Sequence, residues 1–320
     1  MNDRNRSRRR PPRVVEALEP RVALSHAPTF GAVGDSLSDE YRFYPPDRSH
    51  ARNWVETLAA TRRVDFGAYT TGRRAFPRGQ GYAQDWARSS ATTSDVVATQ
   101  VAGLAGQVAA GRVEYASVNM GTNDFLFFLQ ASFTTARPAS AAEFAANLQA
   151  VATTATANLD RTVGTLLAAN PAGKVIVATI PDVRQVPLVA GLAADPTVAA
   201  ATTAVAVAEA AYNDHIRAVA AANPGRVAVA DVAAQGTAFL AGGAKTRPFG
   251  GTTVRLRVAG NGYRDFVVGD QIHPGTIAQG LIANAEVAAA NSLGAAIRPL
   301  APREIVRRAR LVAAHPSTAR

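Results

Sequence analysis

The chain contains no cysteine in its 320 residues. This absence excludes disulfides, thiolate nucleophiles and cysteine-based zinc sites. It does not define the compartment, because a cysteine-free protein is stable on either side of a membrane. Histidine is also scarce, with five residues in the whole chain. Any chemistry that needs an imidazole base therefore has very few candidates.

Long apolar runs are missing as well. No stretch approaches the roughly 18 apolar residues expected of a membrane-spanning helix, so we predict no stable membrane span. The arginine-rich N-terminus lacks the apolar segment of an ordinary signal peptide. The hydrophobic content of 48% is nevertheless sufficient for a sizeable core, and one large domain or two small ones would both fit this length.

The net charge of +10 is concentrated at the two ends of the chain. Residues 1–25 carry a net charge of +4 and residues 298–320 a net charge of +5, which leaves +1 for the residues between them. The central part therefore lacks the basic surface of a nucleic-acid-binding domain, and we predict no nucleic-acid partner. We divide the chain into a disordered basic leader over residues 1–27, a globular domain over residues 28–297 and a basic C-terminal tail.

The leader contains one recognisable segment, LEPRVALS at residues 18–25. It resembles the short LEPR segment found near the start of many exported or surface proteins of some bacteria. The resemblance implies an exported or cell-surface protein. The alternative is a disordered basic tail on a cytoplasmic protein.

Apolar strands and amphipathic helices alternate along the central part. Four short apolar runs, which end near residues 33, 120, 179 and 231, predict buried strands. Helical spacing of apolar residues predicts helices over residues 54–60, 95–108, 140–170, 195–223 and 276–291. Ser140 and Asp195 are the predicted N-caps of two of them. The alternation is typical of βαβ units and predicts an α/β fold with a mostly parallel sheet.

Two stretches near the C-terminus depart from this alternation. Residues 254–268 alternate apolar and polar side chains and contain Asn261-Gly262, a pair that favours a type I′ turn, so we predict a β-hairpin there. Residues 302–311 form a candidate basic helix, which we place outside the core.

The first predicted strand ends abruptly at Gly34-Asp35-Ser36. A tight turn at the carboxyl end of a strand is where open α/β sheets present reactive groups, which makes Ser36 a candidate nucleophile. A serine hydroxyl reacts only when a base takes its proton and when hydrogen-bond donors stabilise the oxyanion that forms on attack. The rest of the chain must supply both.

His273 is the best-placed candidate for the base. It follows a strand-like segment and precedes a helix, and Asp270 stands three residues before it. An aspartate at this spacing can hold the Nδ1 proton of the imidazole and leave Nε2 free to act as a base. The alternative is that both residues only cap the last helix. The other histidines lie in predicted tails, a polar loop or a long helix: His26, His50, His215 and His315.

Three ordered motifs resemble those of a known family. GDSL at residues 34–37, GTND at residues 121–124 and DQIHP at residues 270–274 occur in the order and at the relative positions typical of the GDSL or SGNH hydrolases. The similarity spans about residues 28–292. It implies a three-layer α/β/α sandwich with a mostly parallel, flavodoxin-like sheet. It also implies an esterase or lipase activity that needs no cofactor and no metal.

The resemblance implies a role for each matching residue. Ser36 would be the nucleophile and would form an acyl-enzyme with the substrate. His273, oriented by Asp270, would act first as general base and then as general acid. The backbone N–H of Ser36 and the side-chain amide of Asn123 would donate hydrogen bonds to the oxyanion.

Ser90 is a departure from the family pattern. The third oxyanion donor of the family is the backbone N–H of a glycine, and the match over residues 85–93 places Ser90 at that position. The N–H survives this change, but a side chain then lies near the oxyanion, and a positive φ would be strained. The region of Gly72 is an alternative source of the donor.

Asp35, Asp39 and Asp124 invite a metal interpretation, because all three lie near the predicted site. They have no histidine partner and no ligand spacing, so we expect Asp35 and Asp124 to hold backbone turns instead.

Three other functions remain open from the sequence. They are a carbohydrate O-acyl esterase such as a polysaccharide deacetylase, a non-catalytic surface-binding protein that keeps the fold, and nucleic-acid binding by the arginine-rich ends. The expected substrate is a small-molecule, lipid or acylated-carbohydrate ester.

Loops over residues 67–84 and 235–266 are expected to shape the cleft. Candidate apolar lining residues are Phe76, Tyr82, Phe125, Phe127 and Phe266.

Overall fold

The computed structural model describes residues 27–71 and 79–316. The strands are β1 (Phe30–Gly34), β2 (Tyr69–Thr70), β3 (Gly81–Tyr82), β4 (Tyr115–Asn119), β5 (Lys174–Ala178), β6 (Val227–Ala230), β7 (Thr246–Phe249), β8 (Thr252–Ala259) and β9 (Asp265–Val267). The helices are α1 (Trp54–Arg62), α2 (Thr93–Thr99), α3 (Val101–Ala109), α4 (Thr122–Phe133), α5 (Ala141–Ala169), α6 (Pro187–Ala190), α7 (Pro196–Ala222), α8 (Val232–Leu240), α9 (Thr276–Ser292) and α10 (Pro302–Ala314). The LEPR segment, Gly72 and Phe76 lie outside the described residues.

The central sheet is parallel, with the strand order β1-β4-β5-β6. Gly34 pairs with Asn119 at the carboxyl end of the β1–β4 ladder, and β5 and β6 continue the sheet in the same direction. The carboxyl ends of β1 and β4 therefore lie side by side at one end of the sheet. The GDSL and GTND motifs lie at these two strand ends.

Helices cover both faces of this sheet. Alternate residues of each strand point to opposite sides, so Ile176 joins a core with α1, α8, α9 and α10, whereas Val175 and Val177 join a core with α2, α3, α4, α5 and α7. The predicted three-layer α/β/α fold is confirmed. None of the described helices combines the length and hydropathy needed to span a bilayer.

Residues 84–88 form an irregular extended segment along the side of β1 that does not pair with β4. The Ala32 N–H donates to the Gln84 carbonyl at 2.9 Å, and the Trp86 N–H donates to the Ala32 carbonyl at 2.8 Å. The Arg88 N–H then donates to the Gly34 carbonyl at 3.0 Å. These bonds bring the first part of residues 85–93, the segment predicted to carry the third oxyanion donor, to the carboxyl end of β1.

The predicted N-caps are confirmed, but one predicted helix is broken. The Ser140 hydroxyl accepts from the Glu143 N–H, and the Asp195 carboxylate accepts from the Thr197 N–H. The helix predicted over residues 95–108 is divided into α2 and α3 at Gln100. The reason for the break lies at the candidate site.

The β-hairpin predicted over residues 254–268 does not form. An antiparallel hairpin forms instead between β7 and β8, one strand earlier in the chain. β7 and β8 pair antiparallel across Gly250-Gly251, which both have positive φ, whereas β9 pairs with β8 in parallel. The Asn261-Gly262 region is instead organised by the buried Asp265 carboxylate, which accepts from the Gly262 N–H at 2.9 Å and pairs with Arg255 at 2.6 Å.

The placement of the C-terminal basic helix outside the core is also wrong. α10 packs against α9 and buries Ile305, Val306, Ala309 and Val312. These apolar residues recur at helical spacing, so the arginines occupy mainly the opposite face. The domain boundary at residue 297 stays a prediction.

Candidate active site

The turn that presents Ser36 depends on a glycine. Gly34 has φ of +147°, and a Cβ built there would lie 2.0 Å from the Asn119 carbonyl oxygen on β4. The following turn is closed by the Ser38 and Asp39 N–H groups, which donate to the Asp35 carbonyl at 3.2 and 3.1 Å. Ser36 is therefore held at the carboxyl end of β1, with 8% of its surface exposed.

Asp35 supports this turn from inside the protein. Its Oδ1 accepts from the Leu37 N–H at 2.9 Å. Burial raises the pKa of Asp35 to about 7, and the nearby Asp124 and Asp39 carboxylates act in the same direction. As predicted, Asp35 holds a backbone turn.

Gln100 is a site residue that sequence reasoning missed. Its Oε1 accepts from the Gly34 N–H at 2.7 Å, and its Nε2 donates to the Gly34 carbonyl at 2.9 Å. Both bonds are buried and join residues 66 positions apart. Gln100 stands where α2 ends and α3 begins, so the helix break directs this amide at the backbone that precedes Ser36.

We expect Gln100→Ala to lower the free energy of unfolding by about 2 kcal/mol, because the buried Gly34 N–H would lose its partner. Urea denaturation measures this change. Gln149→Ala is the matched control, since Gln149 is exposed on α5, and we expect its effect to stay within about 0.5 kcal/mol. Equal stability of the two variants would contradict the role of Gln100.

Ser90 lies in the loop beside this turn and has a left-handed backbone, with φ of +67°. This conformation costs a non-glycine residue about 1–2 kcal/mol. The strain expected from a serine at the glycine position of the family is therefore present. The neighbouring Ser89 N–H donates to Asp39 Oδ2 at 2.7 Å, and the Tyr44 hydroxyl donates to the same oxygen. Asp39 thereby fixes the loop to the Ser36 turn.

Asn123 holds the other side of the same loop. It lies in the first turn of α4, and its Nδ2 donates to the Ala91 carbonyl at 2.9 Å. Asp124 accepts from the Thr93 N–H at 2.9 Å and from the Thr93 hydroxyl at 2.7 Å. The predicted structural role of Asp124 is confirmed, and the loop that carries Ser90 is held from both sides.

The start of α4 is fixed by a tyrosine from α7. Gly121 has φ of +117°, and a Cβ there would lie 2.7 Å from the Tyr212 ring. The Tyr212 hydroxyl donates to the Met120 carbonyl at 3.2 Å. Its neighbour Asn213 makes two hydrogen bonds with the backbone of Ile180, at 2.8 and 2.9 Å. The Tyr-Asn pair thus positions the chain after β4 and after β5.

Asp270 and His273 are joined directly. His273 Nδ1 lies 2.6 Å from Asp270 Oδ2, and Asp270 Oδ1 accepts from the N–H groups of Ile272 and His273, each at 2.9 Å. Partial burial opposes ionisation of Asp270, but these hydrogen bonds and the charge of the imidazolium form outweigh it and lower the pKa of Asp270 to about 2. The carboxylate is therefore ionised at neutral pH and faces Nδ1 of the imidazole.

Tyr41 and α9 connect the Ser36 turn with His273. The Tyr41 ring meets the His273 ring edge-on, with 6.0 Å between ring centres. Gln279 of α9 donates to the Tyr41 hydroxyl at 2.8 Å and to the Leu37 carbonyl at 3.4 Å. Within residues 27–71 and 79–316, no hydrogen bond joins the Ser36 hydroxyl to His273.

The remaining described histidines take no part in this cluster. His215 pairs with Asp160 on the surface, at 2.7 Å, and His50 and His315 lie in a turn and at the end of α10. His26 lies outside the described part of the chain.

A mostly apolar cavity opens beside the Ser36 turn and the His273 loop. Leu37 lines it from the Ser36 turn, and Ile272 and Pro274 line it from both sides of His273. Further apolar lining comes from Val186, Val232, Leu240, Phe266, Ala278 and Ile282. Among the aromatic residues proposed from the sequence, Phe266 lines this cavity, Phe125 is buried in the core, Phe127 is 37% exposed, and Tyr82 packs on Phe66 and Tyr69.

A model of one protein family matches most of the chain. The family is described as GDSL-like lipase/acylhydrolase, and the match covers residues 30–285, which include all three motifs. The chain belongs to the GDSL-like lipase/acylhydrolase family. The predicted family is thereby confirmed, and ester hydrolysis is supported at the level of the family. No curated protein matches the sequence.

Solved structures also match the chain, at low sequence identity. A lipase from the goat rumen metagenome is 13% identical, with a TM-score of 0.49 and coverage of 82% of this chain and 97% of the other. Phospholipase A1 from Streptomyces albidoflavus is 18% identical, with a TM-score of 0.46 and coverage of 84% and 100%. A catalytic mutant of an acetylxylan esterase from Geobacillus stearothermophilus is 15% identical, with a TM-score of 0.46 and coverage of 84% and 94%.

Proposed function

We propose that this GDSL-family protein hydrolyses carboxylic esters through an acyl-enzyme on Ser36. The observation that carries the proposal is the Asp270–His273 pair, at 2.6 Å, beside the apolar cavity that the Ser36 turn also lines. An ionised aspartate on Nδ1 favours the tautomer whose Nε2 can accept a proton.

The reaction has two steps. The Ser36 Oγ attacks the ester carbonyl carbon while His273 Nε2 takes the hydroxyl proton, and the carbon–oxygen bond to the alcohol breaks as His273 returns that proton to the leaving oxygen. Water then attacks the acyl-enzyme, again losing its proton to Nε2, and the acid is released when Ser36 Oγ regains a proton. The oxyanion of both steps would accept from Asn123 Nδ2 and from the backbone N–H groups of Ser36 and Ser90.

The cavity favours an ester with a hydrocarbon acyl chain over an acetyl ester. Leu37, Phe266 and Ile282 offer apolar surface to such a chain, and each buried methylene contributes about 0.8 kcal/mol. An acetyl group would leave most of this surface unused. We therefore favour a lipase or medium-chain esterase over a carbohydrate deacetylase.

Gly236→Leu tests the role of the cavity. Gly236 lines it from α8, and the atom nearest to a Cβ there is Gln185 Oε1 at 3.4 Å, so a leucine has room to enter. We expect kcat/KM for p-nitrophenyl octanoate to fall roughly tenfold or more, because about two methylene contacts would be lost. The rate with p-nitrophenyl acetate should change little.

Gly106→Leu on α3 is the matched control, because a Cβ at Gly106 meets no atom within 4 Å. It should leave the rates with both esters unchanged. If the wild type prefers acetate, the deacetylase alternative is favoured. If it turns over no ester but keeps its fold, the non-catalytic alternative is favoured.

A further inference from the structure

An apolar segment is exposed beside the cavity. Residues 188–194 read LVAGLAA and contain no charged or polar side chain. Leu188 is 42% exposed and Leu192 is 57% exposed, whereas Val189 is buried and anchors the segment in the core. Contiguous exposed apolar residues on a protein surface mark an interaction site more often than scattered ones do.

The apolar segment is fixed to the candidate active site. The Leu188 N–H donates to the Gln271 carbonyl, between Asp270 and Ile272, at 3.2 Å. The preceding residues Val186 and Pro187 line the cavity. The exposed apolar surface therefore continues into the cavity.

Most backbone N–H groups of the apolar segment already donate hydrogen bonds within the protein. Besides the Leu188 N–H, the N–H groups of residues 190, 191, 192 and 193 donate to carbonyls of residues 186, 187, 189 and 190, at 2.9, 2.9, 3.0 and 3.3 Å. A segment that enters hydrocarbon must satisfy its backbone internally, because no water is available there. Residues 188–194 are also only seven residues, whereas each partner contributes roughly 20–30 residues to a stable protein interface.

We propose that the apolar segment docks the protein on the surface of a lipid bilayer or micelle. Leu188 and Leu192 enter the hydrocarbon at the interface, and an acyl chain passes from the lipid along Val186 into the cavity. The lipid substrate in this inference rests on the proposed function, whereas the docking itself does not require Ser36.

Binding to phosphatidylcholine vesicles tests the docking. We expect the wild type to sediment with the vesicles and Leu188→Ser/Leu192→Ser to bind roughly tenfold or more weakly, because two leucines lose their hydrocarbon contact. Leu192→Ser alone, which leaves the bond to Gln271 untouched, should show an intermediate loss. Val207→Ser is the control, since Val207 is 68% exposed but lies on α7, and it should bind as the wild type does.

Hydrolysis separates docking from catalysis. With p-nitrophenyl butyrate in solution, the double variant should match the wild type, and with the same acyl chain in a vesicle lipid it should be slower. Failure of the wild type to bind vesicles, or equal binding by the double variant, overturns the inference. A dimer that dissociates in the double variant also overturns it and assigns the segment to a second copy of the chain. A wild type that binds vesicles but hydrolyses no ester overturns the proposed function alone.

Discussion

Ser36→Ala is expected to lower kcat/KM for p-nitrophenyl butyrate by about four orders of magnitude or more. Without the hydroxyl no acyl-enzyme can form, and only direct attack by water remains. The Ser36 hydroxyl makes no hydrogen bond to another residue that the structure describes. We therefore expect the free energy of unfolding to change by less than about 0.5 kcal/mol. Initial rates and urea denaturation measure the two quantities.

Ser38→Ala is the matched control for this substitution. Ser38 belongs to the same turn, but its hydroxyl accepts from the Trp54 indole N–H at 3.0 Å and is buried. We expect the opposite profile, with stability lowered by about 1 kcal/mol and little change in kcat/KM. Wild-type hydrolysis of every ester by Ser36→Ala, or failure of a fluorophosphonate probe to label the wild type, would show that Ser36 is not the nucleophile.

The parts of the site that the sequence predicts are those encoded over a few residues. Asp270 and His273 stand three positions apart, and the structure joins them at 2.6 Å. Gly34 precedes Ser36 in the same short motif, and its positive φ explains why glycine is needed there. The four strands of the parallel sheet and the two N-caps are likewise local patterns, and the structure confirms them.

The parts that the sequence does not predict depend on distant contacts. Gln100 bonds to Gly34 across 66 positions, and nothing near Gln100 marks it as a backbone partner. Gly250-Gly251 and Asn261-Gly262 both favour turns, and the sequence does not show that the antiparallel pair forms across the first of them. The burial of α10 could have been predicted from the helical spacing of its apolar residues.

Asn123→Ala is expected to lower kcat about 10²–10³-fold, because one oxyanion donor is lost in the transition state. KM should change little, since a ground-state ester carbonyl carries only a partial charge. In the free protein Nδ2 donates to the Ala91 carbonyl at 2.9 Å. A side-chain amide has two N–H groups, so one remains for the oxyanion. Steady-state kinetics with p-nitrophenyl butyrate separate kcat from KM.

A purely structural role of Asn123 would give a different result. The loop with Ser90 keeps its contacts through Asp39 and Asp124, so loss of the Ala91 bond alone should cost about 1 kcal/mol of stability and leave kcat near the wild-type value. Ser90→Gly is the comparison at the other donor, because it keeps the N–H and removes the strain at φ of +67°. A normal or raised kcat in Ser90→Gly beside a strongly reduced kcat in Asn123→Ala would assign the loss to the missing donor rather than to a disturbed loop.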